Sequence, residues 1–186
     1  GRTDYCNYPE EAADVDSIGT YMEPNMELIL SKSPDLVVAS GFIDDNIRQQ
    51  LEENGTAIFI TNASDLESTE KNIETLGKLI GHDAEAEEVV KNMEDEWTDL
   101  SAELENVKEE KSAFIDIGSL YSAGPSSLLD NSMQMIKVEN VAADADSAFI
   151  YIDGSSVEGD MIQRPGPRYV EGLKVLAELV YPEIAE

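Results

Sequence analysis

The sequence has one cysteine, Cys6, and one histidine, His82, among 186 residues. A single cysteine excludes an internal disulfide and a cysteine-based zinc site. A single histidine disfavours a His-rich metal site and a Ser-His-Asp triad. We expect Cys6 to be a small buried residue, and His82, which follows Gly81, to mark a helix boundary.

Basic residues are also scarce. Twelve Lys and Arg face forty Asp and Glu, which gives a formal net charge of -28. A chain this acidic repels phosphate backbones, so nucleic acid is excluded as a partner, and a membrane is a partner only through a lipid anchor or a membrane protein. No apolar run approaches the roughly 18 residues of a membrane span. No signal peptide is visible, but the sequence starts at Gly1 without Met, so this is not evidence for the cytosol.

The standard catalytic signatures are missing. The sequence has no G-x-G-x-x-G, no Walker A pattern, no H-E-x-x-H and no G-x-S-x-G. Carboxylates are so abundant that a pair at catalytic spacing carries no information. Hydrophobic residues make up 41% of the chain, which is enough to form a core.

Short apolar runs alternate with helical patterns along the chain. Continuous apolar strands of this kind are typical of a parallel sheet covered on both faces, so we expect an α/β fold. The predicted strands are Leu36–Ser40, Ala57–Ile60, Ala113–Ile117 and Ile150–Ile152. The predicted helices are 25–30, 47–53, 68–80 with Gly81 as its C-cap, 84 to about 109, 128–136 with Ser127 and Asp130 resembling a capping box, and 169–180.

The longest predicted helix carries a heptad stripe. Its apolar positions recur at alternating spacings of four and three: Ala86, Val90, Met93, Trp97, Leu100, Leu104 and Val107. At 1.5 Å per residue the helix would span roughly 39 Å, more than one small lobe needs. We interpret it as a strut between two lobes, with a coiled-coil seam of a dimer as the alternative.

Several loop segments are rich in aromatic residues, glycine and hydroxyls. Two of them follow predicted strands, and ligands of open α/β sheets bind at the carboxyl ends of strands. Together they predict an apolar, aromatic cleft for a sizeable organic ligand. The candidates are Tyr5, Tyr8, Tyr21, Met22, Phe42 and Tyr121, with the segment Arg164–Arg168 before the last helix.

These segments, in this order, resemble the class III periplasmic binding proteins, the substrate-binding components of ABC importers for cobalamin, haem and ferric siderophores. The resemblance covers nearly the whole chain, including the long helix. The matching stretches are Gly1–Pro9, Ser17–Gly19, Pro24–Glu27, Ser33–Val38, 72–82, Tyr121–Gly124, Glu139–Ala142 and Arg164–Arg168.

The resemblance implies two small α/β lobes with central parallel sheets, joined by one long helix, with the ligand held between the lobes. We assign residues 1–83 to an N-terminal lobe, 84–111 to the helix and 112–186 to a C-terminal lobe. The resemblance also implies little hinge motion. Glu27 falls where the family places a lobe-surface carboxylate that docks an arginine pocket of the permease, with an ordinary surface glutamate as the alternative.

Two departures make this fold incomplete relative to the family. Family members usually begin with a further strand and helix before the segment that matches Gly1. After Phe149 they normally continue through a cleft segment, a helix with the second docking carboxylate, and another strand and helix. This chain passes directly to Ile150. We expect either a true deletion or a chain break, which would separate the two Cα atoms well beyond ~3.8 Å.

The resemblance predicts a non-enzymatic, extracytoplasmic substrate-binding protein, monomeric and anchored through a lipid, that delivers a metal chelate to an ABC permease. The ligand would be an iron or cobalt chelate, and no intrinsic cofactor is required. Aromatic loop residues and Met22 would contact a macrocycle or catecholate, and Arg164 or Arg168 would neutralise an acidic group of the ligand. Arg168 pairing within the protein is the alternative.

Two other classes of function stay open. One is a small flavodoxin-like enzyme, which would need perturbed titratable groups in one cleft. The other is an interaction module that dimerises through the heptad helix. Within the first interpretation, a free divalent metal is disfavoured because one His and one Cys are poor ligands, although carboxylates could hold a hard cation.

Overall fold

The structure is a computed structural model, and it describes residues 1–41, 43–116, 124, 126–141, 148–151 and 161–185. The chain divides into two compact units, Gly1–Asn62 and Ala63–Glu186. The predicted boundary at residue 83 therefore falls inside the second unit, because the helix before it packs against the long helix that follows. The predicted division into two lobes and a strut stays a prediction.

The first unit is a two-stranded parallel sheet with two helices. Its elements are α1 (Met26–Ser31), β1 (Leu36–Ser40), α2 (Asp45–Glu53) and β2 (Ala57–Thr61), after a 3-10 helix at Glu10–Asp14. Leu36 pairs with Ala57 and Ser40 with Thr61. Ile29, Ile43 and Leu51 form its buried core against one face of the sheet.

Side-chain caps set where these helices begin. Asn25 Oδ1 accepts the Leu28 N–H at 2.9 Å, and Asp44 Oδ1 accepts the Asn46 N–H at 2.8 Å. Because a cap satisfies a backbone donor that the helix leaves unpaired, α1 begins one residue after its predicted start and α2 two residues before.

The second unit is a three-stranded parallel sheet with helices. Its elements are α3 (Leu66–Ile80), α4 (Asp83–Leu104), β3 (Lys111–Asp116), α5 (Leu128–Met135), β4 (Val138–Asn140), β5 (Ala148–Tyr151) and α6 (Tyr169–Val180), followed by a 3-10 helix at Pro182–Ile184. The strand order is β4-β3-β5. Parallel sheets joined through helices confirm the predicted α/β class. The short strand β4 was not predicted.

The chain is continuous at the point where the resemblance implies an additional segment. Phe149 and Ile150 are consecutive residues of β5, and they pair in register with Phe114 and Ile115 of β3. This continuous pairing favours a true deletion over a chain break, and the deletion relative to the family stays a prediction. The predicted end of this strand, Ile152, lies outside the described residues, as does Ile117 after β3.

The long helix ends at Leu104, five residues before its predicted end. The sequence after it reads Glu105-Asn106-Val107-Lys108-Glu109-Glu110. Glu105 and Glu109 would repel each other at a spacing of four, and carboxylates are unfavourable at the negative end of the helix dipole. These charges end the helix although the apolar spacing continues to Val107.

The heptad stripe is buried within the second unit. Ala86, Val90, Met93, Leu100 and Leu104 are each less than a tenth exposed, and Trp97 and Val107 pack partly buried against the same core. That core also contains Ile115, Met133, Leu173 and Leu176. A stripe that is buried in its own unit is not a free seam, so the structure gives no support to dimerisation through this helix.

Tyr181 ties the end of α6 to the sheet. Its hydroxyl donates to the Lys137 carbonyl at 2.6 Å and accepts the Lys111 N–H at 3.0 Å. Burial raises the pKa of this phenol. The Lys111 ammonium lies 4.9 Å from the centre of the Tyr181 ring and donates to the Val180 carbonyl at 2.6 Å. These bonds hold the last helix against the amino end of β3.

Among the described residues, no helix is both long enough and apolar enough to cross a bilayer.

The turn between α3 and α4 is packed without room for a side chain at Gly77. Gly81 ends α3 in the left-handed conformation at φ +75°, which confirms it as the C-cap. A Cβ at Gly77 would lie 2.4 Å from the Ala86 Cβ and 3.0 Å from the His82 carbonyl oxygen.

We therefore expect Gly77→Ala to lower the free energy of unfolding by about 2 kcal/mol through overpacking. Urea denaturation measures the change. Ala86→Gly removes the shorter of the two contacts, so the double variant should be less destabilised than the sum of the single changes. Strict additivity would contradict this packing.

Candidate ligand-binding site

The N-terminal segment is joined to a hairpin by backbone hydrogen bonds. Arg2 and Ser17 form a parallel bridge, and the Asp4 N–H donates to the Gly19 carbonyl at 3.0 Å. The Ser17 hydroxyl donates to the Asp4 carboxylate. The residue after Asp4 is Tyr5, so these bonds place the first aromatic segment beside the second one, which begins at Gly19.

The hairpin presents Tyr21, Met22 and Glu23 at its tip. Gly19 and Pro24 close it as an antiparallel bridge. Gly19 has φ +103°, and a Cβ there would lie 2.7 Å from the Glu23 carbonyl oxygen. Glycine is therefore required at this position.

Tyr21 lies at the carboxyl edge of the first sheet. Its hydroxyl donates to the carbonyl of Ser40, the last residue of β1, at 3.3 Å. The next residue, Gly41, turns at φ +73° and donates its N–H to the Thr61 carbonyl at 3.1 Å. This edge is where open α/β sheets bind ligands, so the contact places a predicted site residue at the expected end of the sheet.

Four predicted ligand-contact residues of the first unit are strongly exposed. The exposed fractions are 63% for Tyr5, 62% for Tyr8, 53% for Tyr21 and 80% for Met22. Single exposed apolar residues are ordinary, but several on connected segments make these segments a candidate binding surface. We call these four residues the aromatic surface. Its rings and thioether offer stacking and apolar contact to a flat organic ligand.

The cations close to these segments are engaged in the fold. The Arg2 guanidinium donates to the carbonyls of Thr3, Asp4 and Ala13 at 3.1–3.2 Å. Lys32 lies 2.6 Å from Asp16, and the hydrogen bond and charge of Lys32 lower the pKa of that carboxyl. These two cations serve the local backbone and one aspartate.

The remaining predicted ligand contacts lie elsewhere or outside the described residues. Phe42 and Tyr121 fall outside the described residues. Arg164 is exposed, and Arg168 is partly buried with its Nε 3.2 Å from a Glu171 carboxylate oxygen. The alternative of an internal pairing of Arg168 is therefore present in the structure.

Three other residues singled out in the sequence have clear positions. Glu27 is exposed in the first turn of α1, as a docking carboxylate or an ordinary surface glutamate would be. His82 precedes α4 and lies 3.1 Å from Glu85, which confirms a helix-boundary residue. The prediction that Cys6 is buried is wrong, because its thiol is exposed, 3.4 Å from the Thr3 hydroxyl.

The sequence reasoning missed a buried polar cluster around Asp130. Ser127 Oγ accepts the Asp130 N–H at 3.2 Å, as a capping box predicts. The Asp130 carboxylate, however, accepts from the Ser126 N–H and Gln134 at 2.9 Å and from Asn140 at 3.0 Å. The Ser-x-x-Asp spacing signalled the cap but not the bond to Asn140, which depends on where β4 lies.

One groove of the second unit bears on the enzyme alternative. It lies along α4 and α6, has a volume of about 270 Å³, and is lined by Glu96, Asp99, Leu100, Glu103, Val170, Glu171 and Lys174. Burial, and then the charge of Glu171, raises the pKa of Glu96. The groove has no serine, threonine or cysteine nucleophile. Across the described ranges, no cluster of three His, Cys, Asp or Glu is placed to hold a metal ion.

The Periplasmic binding protein family matches residues 1–160 of the chain. The chain belongs to this family.

Two curated relatives show how much of a family member the chain represents. It is 27% identical to YvrC of Bacillus subtilis, named as an uncharacterized ABC transporter substrate-binding lipoprotein, over 230 aligned positions that cover 98% of this chain and 73% of YvrC. It is 27% identical to the vitamin B12-binding protein of Salmonella choleraesuis over 78% of this chain and 55% of that protein. The chain thus spans about half the length of the latter relative.

The alignment with YvrC also supports an internal deletion. Its 230 positions exceed the 186 residues of the chain, so at least 44 of them are YvrC residues without a counterpart here. This agrees with the predicted deletion between Phe149 and Ile150.

A solved structure shares the fold. The haem-binding protein RhuT from Roseiflexus sp. RS-1, in its apo form, matches with a TM-score of 0.80 at 17% identity, over 99% of this chain and 89% of RhuT. At this level of identity the match establishes the fold.

Proposed function

We propose that the protein is the extracytoplasmic substrate-binding component of an ABC importer and that it captures a metal chelate for delivery to the permease. The supporting observation is the exposed aromatic surface, whose Tyr21 is bound at the carboxyl edge of the β1–β2 sheet, in a chain of the periplasmic binding protein family. The named ligands of its relatives, vitamin B12 and haem, are large metal-bearing macrocycles.

The chemistry of the aromatic surface suits such a ligand. A corrin, a porphyrin or an aryl siderophore presents apolar faces that gain from contact with exposed rings. Its metal is already coordinated, so the protein needs no ligand set of its own. Phe42, Tyr121, Arg164 and Arg168 stay proposed contacts, although the Arg168 guanidinium already pairs with Glu171 and contacts the Met161 sulfur.

Docking to the permease is proposed for Glu27. The side chain is exposed in the first turn of α1, where an arginine of a partner protein can reach its carboxylate. Attachment to the membrane would come from a lipid anchor, and the monomer would be the working form.

We expect Tyr21→Ala to weaken chelate binding by about tenfold, because an exposed aromatic anchor is worth about 1–2 kcal/mol in a binding site. Isothermal titration with cyanocobalamin, hemin and ferrioxamine B identifies the chelate that binds and measures the loss. Tyr21→Phe keeps the ring and should retain most of the affinity.

Leu79→Ala, which removes an exposed apolar side chain of α3, is the matched control and should bind like the unaltered protein. If the folded protein binds none of the three chelates, the proposed function is wrong. If Tyr21→Ala binds as tightly as Leu79→Ala, the site is misplaced.

A further inference from the structure

We propose that the aromatic surface selects metal chelates of zero or positive net charge and disfavours anionic ones. This inference rests on the proposed function and adds the charge class of the ligand. The ionisable groups next to the four exposed residues all lie in the part of the first unit that the structure describes.

Exposed carboxylates flank every part of the aromatic surface. Asp4 precedes Tyr5, and Glu23 follows Met22 at the hairpin tip. Asp44 and Asp45 begin α2 just beyond the carboxyl end of β1, the edge where the Tyr21 hydroxyl is bound. The 3-10 helix that follows Tyr8 opens with two more carboxylates, Glu10 and Glu11.

Cations that would offset these charges are few in the first unit. Residues 1–62 contain twelve Asp and Glu but three Lys and Arg. Arg2 is held by three backbone carbonyls and Lys32 by Asp16. The third cation, Arg48, is only partly exposed on α2, and the exposed carboxylates Asp44 and Asp45 precede it at the start of the same helix.

An anionic ligand would meet two costs at this surface. Its charge would be partly desolvated against rings that cannot replace the lost hydration. It would also be repelled by the exposed carboxylates that neighbour the surface residues along the chain, a repulsion that salt screens over roughly 8 Å at physiological ionic strength. A neutral chelate avoids both costs, and a cationic one is attracted. Apolar contact with the rings is the same for all three, so charge decides between ligands of equal shape.

The test uses ligands that differ in charge but share a metal centre. Ferrioxamine B carries a free ammonium group, and its N-succinyl derivative carries a carboxylate in its place. Cyanocobalamin and a monocarboxylate derivative, with one side-chain amide hydrolysed, form the second pair. Isothermal titration should show each anionic member binding about tenfold more weakly than its partner at low salt. The difference should shrink as NaCl is added, within the range where circular dichroism shows the protein folded.

Charge-neutralising variants then localise the effect. The double variant Glu23→Gln with Asp45→Asn should reduce the ratio of the two dissociation constants within a ligand pair by at least about threefold. Glu53→Gln, at the opposite end of α2 in the same unit, removes a similar exposed charge and should leave it unchanged.

The outcomes separate the two proposals. Tighter binding of the anionic member, or a preference that does not change with salt, overturns the charge selectivity while the proposed function stands. If Glu53→Gln reduces the affinity ratio as much as the double variant does, the selectivity comes from the overall charge of the protein. The assignment to the aromatic surface is then wrong. If neither pair of ligands binds and hemin does not bind either, the proposed function itself is wrong.

Discussion

Raising the NaCl concentration from about 0.05 M to about 1 M is expected to raise the Tm of this protein by about 10 °C, because salt screens repulsion within a strongly negative chain. The net charge is -28. The repulsion is local as well as global: burial, and then the charges of Glu94, Glu67 and Glu74, raises the pKa of Glu70.

Thermal unfolding followed by circular dichroism measures the salt effect. The control is Glu87→Lys with Glu88→Lys, two exposed positions of α4, which together reduce the net negative charge by four. This variant should have a higher Tm at low salt and a smaller response to NaCl. An equal response of both proteins would show that salt acts through apolar burial rather than through charge.

Replacing Asp130 with alanine is expected to lower the free energy of unfolding of the second unit by about 4 kcal/mol. The carboxylate is 7% exposed and accepts hydrogen bonds from Ser126, Gln134 and Asn140. Hydrogen bonds to a charged group are each worth about 1.5–3 kcal/mol, and the partners left behind lose their acceptor in a partly buried setting.

Urea denaturation provides the measurement for Asp130. Asp130→Asn keeps one carbonyl acceptor but turns an amide N–H group toward other donors. Its free energy of unfolding should therefore lie between those of Asp130→Ala and the unaltered protein. Glu88→Ala, which removes an exposed carboxylate of α4, should change stability by less than about 0.5 kcal/mol. A loss below about 1 kcal/mol for Asp130→Ala would mean that water replaces the carboxylate at little cost.

The parts of the fold that follow local rules could be predicted from the sequence. The helix Tyr169–Val180 and the strand Leu36–Ser40 have the predicted bounds, and Gly81 ends its helix as its chemistry requires. The long helix was predicted too long because apolar spacing was followed past Leu104 into a run of acidic residues. Periodicity shows which face is buried, whereas charge at the helix end decides where it stops.

The candidate site could be predicted only in part. Exposed aromatic loops were visible as composition, but the bond from Tyr21 to Ser40 joins residues 19 apart and depends on the folded hairpin. Burial of Cys6 was inferred from the usual behaviour of free cysteines, whereas its segment lies on the surface. The bond between Asp130 and Asn140 was missed because it needs the position of β4.

The division of the chain at Asn62 has a consequence for its synthesis. The first unit is made wholly from residues 1–62, and its two strands are joined through one helix. The ribosome therefore completes this unit before most of the second has been made, and domains generally fold as units during translation. The residues of the aromatic surface therefore leave the ribosome before those that form the core of the second unit.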